Sequence, residues 1–467
     1  MNEPRGALRR LYHSAVVWSW AMNGFRLASG LLLLPLLLKV LPTPELGIYY
    51  LFLQLFSLLP VVDFGFSVSV GRYVSYAMSG ALELKPLGLV THREGTGPNL
   101  SLLWQLLHTT RRLFQFMSLT ALVLMGGIGT WAVSVRIHDT SDPSVTWLAW
   151  GITLAAAVLE IYAGWWNVFL RGMNQVLASA RISVFAYALK FLLSCVLLAS
   201  GAGLLAVPVA SIFSSALMRL LSRQRCLALL GPAPGSGEAG RVHLLGILWP
   251  TSWRVGLQFM STYLASHANG IICATVLGLA ANATFGLSLQ VTMVIQGMAS
   301  VWTLVKWPIV GQYRAKGDTE GLRQVLWTRI WLQALSYIVM AIAAWFLGPL
   351  LLQWLGVDKT LLPGPLFAIL LVTGFLDTNF SFWTTLLSME NRIPSLWPTV
   401  ITNVCSLVIV LVLVTSTDLG LAALVVPPLL MGSLFGYWYW PLRGARSLQT
   451  SWLRYTFFGP GPSSSSA

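Results

Sequence analysis

Apolar runs of about 20 residues or more recur along this chain, and each is long enough to cross the roughly 30 Å hydrocarbon core of a bilayer as a helix. Short polar breaks separate them. Hydrophobic residues make up 56% of the chain and charged residues only 9%, with a mean hydropathy of +0.72. The fold expected is an all-α polytopic membrane protein with almost no soluble mass. Its work then takes place inside the bilayer or at its two faces.

About twelve spans fit the pattern. They are placed at 16–40, 46–78, 113–135, 145–169, 176–199, 204–221, 248–277, 284–310, 325–355, 362–389, 396–414 and 420–439. The first follows Arg5, Arg9 and Arg10 and so imitates a signal peptide, but its apolar run is too long for one. The second is long enough to tilt, and Pro60, Gly65 and Gly71 are positions at which it can bend. Residues 99–112 read equally as an amphipathic interfacial helix, with Leu102, Leu103, Leu106 and Leu107 opposing His108, Arg111 and Arg112, or as an extension of the third span. Gly231 to Gly237 is Gly/Pro-rich and reads as a flexible linker. The chain therefore divides into a six-helix lobe at 1–222, a cytoplasmic linker at 223–247, a second six-helix lobe at 248–442 and a tail at 443–467, whose Gly/Pro/Ser-rich end is expected to be disordered. Leu46-Gly47-Ile48-Tyr49 and Phe285-Gly286-Leu287-Ser288 echo each other at corresponding places in the two halves, as parallel repeats do.

The net charge of +14 follows from topology rather than from nucleic-acid binding. With the N-terminus inside, only Lys39, Arg136 and Lys359 fall on the outer side, and Arg26, Arg72 and Lys190 lie within spans. The remaining Lys and Arg residues sit in or beside cytoplasmic segments. This asymmetry places both termini inside. The outer loops are too short for a catalytic or receptor domain. Cys195, Cys226, Cys273 and Cys405 have no paired spacing, so neither a disulfide framework nor a metal site is expected. No phosphate-binding glycine loop or Ser/His/Asp arrangement is visible, and no cofactor is implied.

Ionisable groups within spans mark candidate function because burying them in lipid is costly. Ser19, Asn23, Arg26 and Gly30 share one face of the first span; Arg254, Gln258, Ser261, Ala265 and Asn269 share one face of the seventh. Two such stripes predict a polar, cationic cavity shared by the halves, suited to an anion that arginine can grip in a bidentate fork. Arg254 near the membrane face could instead simply snorkel. Asp63 and Arg72, nine residues apart, lie on opposite faces of a straight helix. Asp63, Asp377 and His267 are candidates for ion coupling, each with a structural helix–helix role as the alternative and Asp63 also for pairing with Arg26, and Lys190 and Glu160 are similar cases.

Several stretches resemble bacterial polysaccharide flippases of the multidrug/oligosaccharidyl-lipid/polysaccharide exporter superfamily. These are Leu34 to Leu41 with Glu45 to Tyr49, then Leu59 to Tyr73 with its Asp63-Phe64-Gly65 and Gly71-Arg72-Tyr73, and Phe169 to Gln175. Trp307 to Val310 with Gly317 to Arg323, and Phe346 to Gly356, continue the likeness in order. The resemblance implies two facing six-helix lobes, alternating access and a place in the bacterial inner membrane. It implies export of an undecaprenyl-diphosphate-linked oligosaccharide for surface polysaccharide such as lipopolysaccharide, with polymerase or assembly proteins as partners. Arg26 and Arg254 are the natural positions for the diphosphate, with Asn23, Gln258, Asn269 and Arg72 beside them. The alternatives are a drug/cation antiporter of the same superfamily, a membrane polymerase or glycosyltransferase, and an assembly scaffold.

Overall fold

A computed structural model of the protein describes residues 15–81, 97–232, 244–316, 318–389 and 393–459. Among them, ten helices are long and apolar enough to cross a membrane. Two further helices, α1 (Ala15–Val40) and α10 (Leu244–Ser266), reach 26 and 23 residues. The protein is a multi-pass, all-helical membrane protein. Its contacts divide it into two compact units, Met1–Tyr263 and Leu264–Ala467.

In the first unit, the expected second span is three helices: α2 (Thr43–Phe56), α3 (Leu59–Asp63) and α4 (Phe66–Met78). The break comes from Phe64 and Gly65, both left-handed at φ 47° and 74°. Two residues in that region break the helix without interrupting the apolar run, so hydropathy reads straight through them. The third span is continuous with the amphipathic segment: α5 (Leu100–Leu124) passes through a wide turn at Met125–Gly129 into α6 (Thr130–Ser134). The Asn99 side chain caps α5 by accepting from the Leu102 amide at 3.1 Å. Its own amide donates to the Ala81 carbonyl at 3.0 Å. Leu103 and Leu106 are fully buried while Arg111 and Arg112 are exposed. The remaining helices are α7 (Pro143–Gly172), α8 (Val176–Ala199), α9 (Ala206–Leu230) and most of α10. The segment expected as linker begins inside α9; residues 233–243 lie outside the described ones.

Helix α7 packs on α9, α5 and α4, and α1 packs on α8. Gly172 lets α7 meet α4 backbone to backbone: a Cβ there would lie 2.7 Å from the Gly71 carbonyl oxygen. Ser75 Oγ completes that crossing with a 3.0 Å bond to the Gly172 carbonyl. Such close approach through small residues is how helices associate in lipid, where apolar side chains gain little by leaving hydrocarbon for protein.

In the second unit, α11 (Ala268–Ile272) and a wide turn at Cys273–Leu277 finish the seventh apolar run, and α12 (Leu279–Leu304) follows. The run continues past a turn into α13 (Trp307–Lys316), then α14 (Thr319–Trp354), α15 (Gly364–Ser388) and α16 (Leu396–Ser416). The expected last span is again divided, into α17 (Ala422–Leu434) and α18 (Gly436–Ser447), at Phe435. Helix α12 packs on α14 and α15 around Phe285, Ile295, Tyr337 and Phe367. Buried polar groups are paired across this core: Tyr337 Oη donates to the Leu371 carbonyl at 2.8 Å, and Thr303 Oγ1 to Gln333 Oε1 at 2.8 Å. Beyond α18, the short helix α19 (Trp452–Phe458) is tied to α14. Tyr455 Oη donates to the Arg323 carbonyl at 2.7 Å, and Arg323 Nε to the Leu448 carbonyl at 2.6 Å. The expected disordered stretch, 460–467, lies outside the described residues.

Candidate functional site

The kink between α3 and α4 organises the polar groups of the first unit. Asp63 ends α3 and turns onto α4, where Oδ1 accepts from Ser67 Oγ at 2.5 Å and Oδ2 from the Ser67 amide at 3.3 Å. The carboxylate therefore caps the fourth helix, a local role that the sequence reading did not include. Helix α10 docks on this kink. A Cβ on Gly65 would lie 2.6 Å from Val255 Cβ, and one on Gly256 would lie 2.4 Å from the Phe64 ring. Phe64 stacks on Trp249 at 5.8 Å, and Ser69 and Ser252 share a 2.8 Å hydrogen bond.

Arg254 and Gln258 lie around the helix from that docked face, two residues on from Ser252 and Gly256 respectively, and both are exposed. The Arg254 guanidinium lies 5.3 Å from the Trp253 ring centroid. No carboxylate among the described residues is within ion-pair distance of it. Arg72 is also exposed, 5.3 Å from the Tyr73 ring centroid. Asn23 and Arg26 lie on α1, but their side chains are outside the described ones.

The stripe expected along the seventh span does not continue as one face. Helix α10 stops at Ser266, and His267 leaves the helical geometry at φ −124°. Ser261 and Asn269 are buried, and the Asn269 amide donates to the Leu424 carbonyl at 3.3 Å, tying α11 to α17 within the second unit. Straight-helix spacing misses this because a break resets the register. His267 is half-buried at the start of α11.

Asp377, on α15, is exposed and accepts from Tyr437 Oη of α18 at 2.7 Å. Tyr437 was not legible as a partner; it is one aromatic among many in Phe435 to Trp440, and only the fold selects it. Asn379 accepts from Trp383 Nε1 at 3.0 Å, a helix-internal bond. Glu160 lies on α7 and Lys190 on α8, where the Lys190 ammonium is 5.8 Å from the Phe56 ring centroid. The four cysteines are free thiols.

No family model and no curated protein sequence matches this chain. Solved structures share its fold. An inward-facing multidrug resistance MATE family transporter of the MOP superfamily superposes with a TM-score of 0.62 at 14% identity, covering 92% of this chain and 95% of that one. The MATE multidrug transporter DinF-BH in complex with R6G gives 0.60 at 14% identity, covering 98% and 97%. A MOP superfamily transporter from Pyrococcus furiosus Vc1, for which a binding pocket of reverse polarity is described, gives 0.58 at 15% identity, covering 95% and 98%. The chain shares the fold of these transporters over nearly its whole length and theirs.

Proposed function

We propose that this protein is a membrane transporter, not an enzyme, whose cargo is an anionic lipid-linked oligosaccharide. The undecaprenyl-diphosphate-linked repeat of a surface polysaccharide is carried from the inner to the outer leaflet of the bacterial inner membrane by alternating access. The observation that carries this reading is Arg254. It is exposed, about 15 Å along α10 from the start of that helix, and has no carboxylate partner among the described residues. A charge kept partway along such a helix without a carboxylate partner is a reason to look for an anionic ligand. Guanidinium geometry suits a diphosphate, which accepts two parallel N–H bonds. Arg72 of the same unit, and Arg26, Asn23 and Gln258, are the further contacts proposed. Asp63, Asp377 and His267 remain the candidates for ion coupling. Of these, Asp377 is exposed and accepts from Tyr437.

The second reading is a drug/cation antiporter. Multidrug transporters stand among the proteins that share the fold, and Asp377 supplies an exposed carboxylate suited to an organic cation.

The deciding experiment measures lipid-linked sugars by leaflet in a strain lacking the gene. A complete oligosaccharide accumulating on the cytoplasmic face, relieved by the intact gene, supports the flippase. Arg254→Ala should then lower export about tenfold or more while insertion is retained, and Arg254→Lys should restore only part of it. An unchanged lipid pool with raised drug sensitivity moves the function to the antiporter. Full export by Arg254→Ala removes the cationic site.

A further inference from the structure

The described helices at the cytoplasmic end of the first unit, as assigned by charge, are rich in arginine. Residues 97–124, 161–199 and 203–232 contain no Asp or Glu, yet carry Arg111, Arg112, Arg171, Arg181, Arg219, Arg223 and Arg225. Most of these are solvated side chains, as the positive-inside rule anticipates. Arg219 is held differently. Its guanidinium carbon lies 3.9 Å from the Tyr162 ring centroid, and Nη1 donates to the Tyr162 carbonyl at 3.3 Å. Helix α5, which packs on both α7 and α9, carries the exposed Arg111 and Gln115 one turn apart near the same end. Three mutually packed helices, α5, α7 and α9, thus carry two guanidinium groups, an amide and a phenol at one end of the unit. No carboxylate among the described residues pairs with either arginine.

Depth gives this cluster its meaning. Counted from the outer ends of their helices at about 1.5 Å per residue, with α5 and α6 taken together, Arg219 lies roughly 20 Å down, Tyr162 roughly 28 Å and Arg111 roughly 35 Å. A hydrocarbon core of about 30 Å puts Tyr162 and Arg111 at the inner-leaflet headgroup level, and the Arg219 guanidinium reaches toward it by lying against the Tyr162 ring and carbonyl. Basic pockets between helices on the cytoplasmic side are where lipid phosphates bind. The Tyr162 ring and carbonyl already orient Arg219, so little of its side-chain freedom is lost when an anion arrives.

We propose that Arg111, Gln115, Tyr162 and Arg219 form a binding site for the phosphate of an inner-leaflet lipid. The ligand chemistry is a phosphate oxygen at headgroup depth, supplied by an anionic phospholipid or by a polyprenyl diphosphate. The site does not depend on the transport reading above.

The test uses the whole protein, purified in neutral detergent and freed of lipid. Phosphatidylglycerol is titrated in and bound lipid is read by native mass spectrometry. Arg111→Gln with Arg219→Gln should weaken binding about tenfold or more, while Arg223→Gln with Arg225→Gln, an equal loss of charge, should change it by less than about twofold. Equal weakening by both pairs would mean diffuse attraction and overturn the site, as would unchanged binding in the first pair. If the first pair does not fold, Tyr162→Phe with Gln115→Leu carries the test, with a loss expected and unchanged binding overturning it. Undecaprenyl diphosphate and inorganic pyrophosphate then assign the source. Competition by both supports a diphosphate site, and displacement by neither supports a phospholipid phosphodiester.

Discussion

Gly65 shows how one residue sets the geometry of the first unit. Its φ of 74° belongs to the left-handed region, and its missing Cβ is where Val255 of α10 packs. Gly65→Ala should cost roughly 1–3 kcal/mol from backbone strain before the clash is counted, read as a lower unfolding midpoint in detergent. That the residue is a glycine could be read from the sequence; that it carries α10 could not, since Val255 is remote in the chain. Asp142 acts at the opposite surface. The amides of Val145 and Ser144 donate to its carboxylate at 3.2 and 2.9 Å, capping α7 and holding the acid below the ordinary aspartate range, chiefly through Val145. A depressed folded value means that the stabilisation is present above the unfolded value and disappears as pH falls through the folded one. The Asp142→Ala variant should therefore melt below the parent at pH 7 and converge with it in acid, measured as a midpoint against pH. Asp142→Asn, which keeps a capping oxygen, should lose less.

Helices were the most legible level, and their interruptions the least. The expected fifth span and the helix α8 coincide at Val176–Ala199 because both ends are marked by polar turns. The second, seventh and twelfth runs break at Phe64–Gly65, His267 and Phe435, where no loss of hydropathy announces the break. Hydropathy measures transfer into lipid, whereas a break needs only one or two residues with unusual backbone angles. The two readings of 99–112 were decided by a cap: Asn99 starts a helix that runs on into the third span. Asn99→Ala should cost about 1 kcal/mol and fray that start, seen as faster hydrogen exchange at residues 100–103. At the other end of the chain, Tyr455 is buried and bonded to the Arg323 carbonyl. Tyr455→Phe should cost about 1 kcal/mol and speed proteolysis after Ser451, because α19 is too short to persist without its attachment to α14.

For the whole molecule, charge asymmetry makes a prediction independent of any function. In a cysteine-free background, His138→Cys should react with an impermeant thiol reagent in intact cells, and Arg225→Cys only after the membrane is opened. The reverse pattern would invert the topology and would also move the Arg219 cluster to the outer leaflet. The sequence by itself determined that the chain spans a membrane repeatedly, about how many times, and which ends carry the positive charge. Hydropathy and charge act residue by residue against a planar solvent, so they survive in one dimension. Only the tertiary structure decided that α10 docks on the α3–α4 kink, that Asp63 serves Ser67 as a cap, that Asn269 ties α11 to α17, and that Tyr437 meets Asp377. Those outcomes depend on close packing between segments far apart in the chain, where a missing Cβ or a reset helical register fixes which side chains meet.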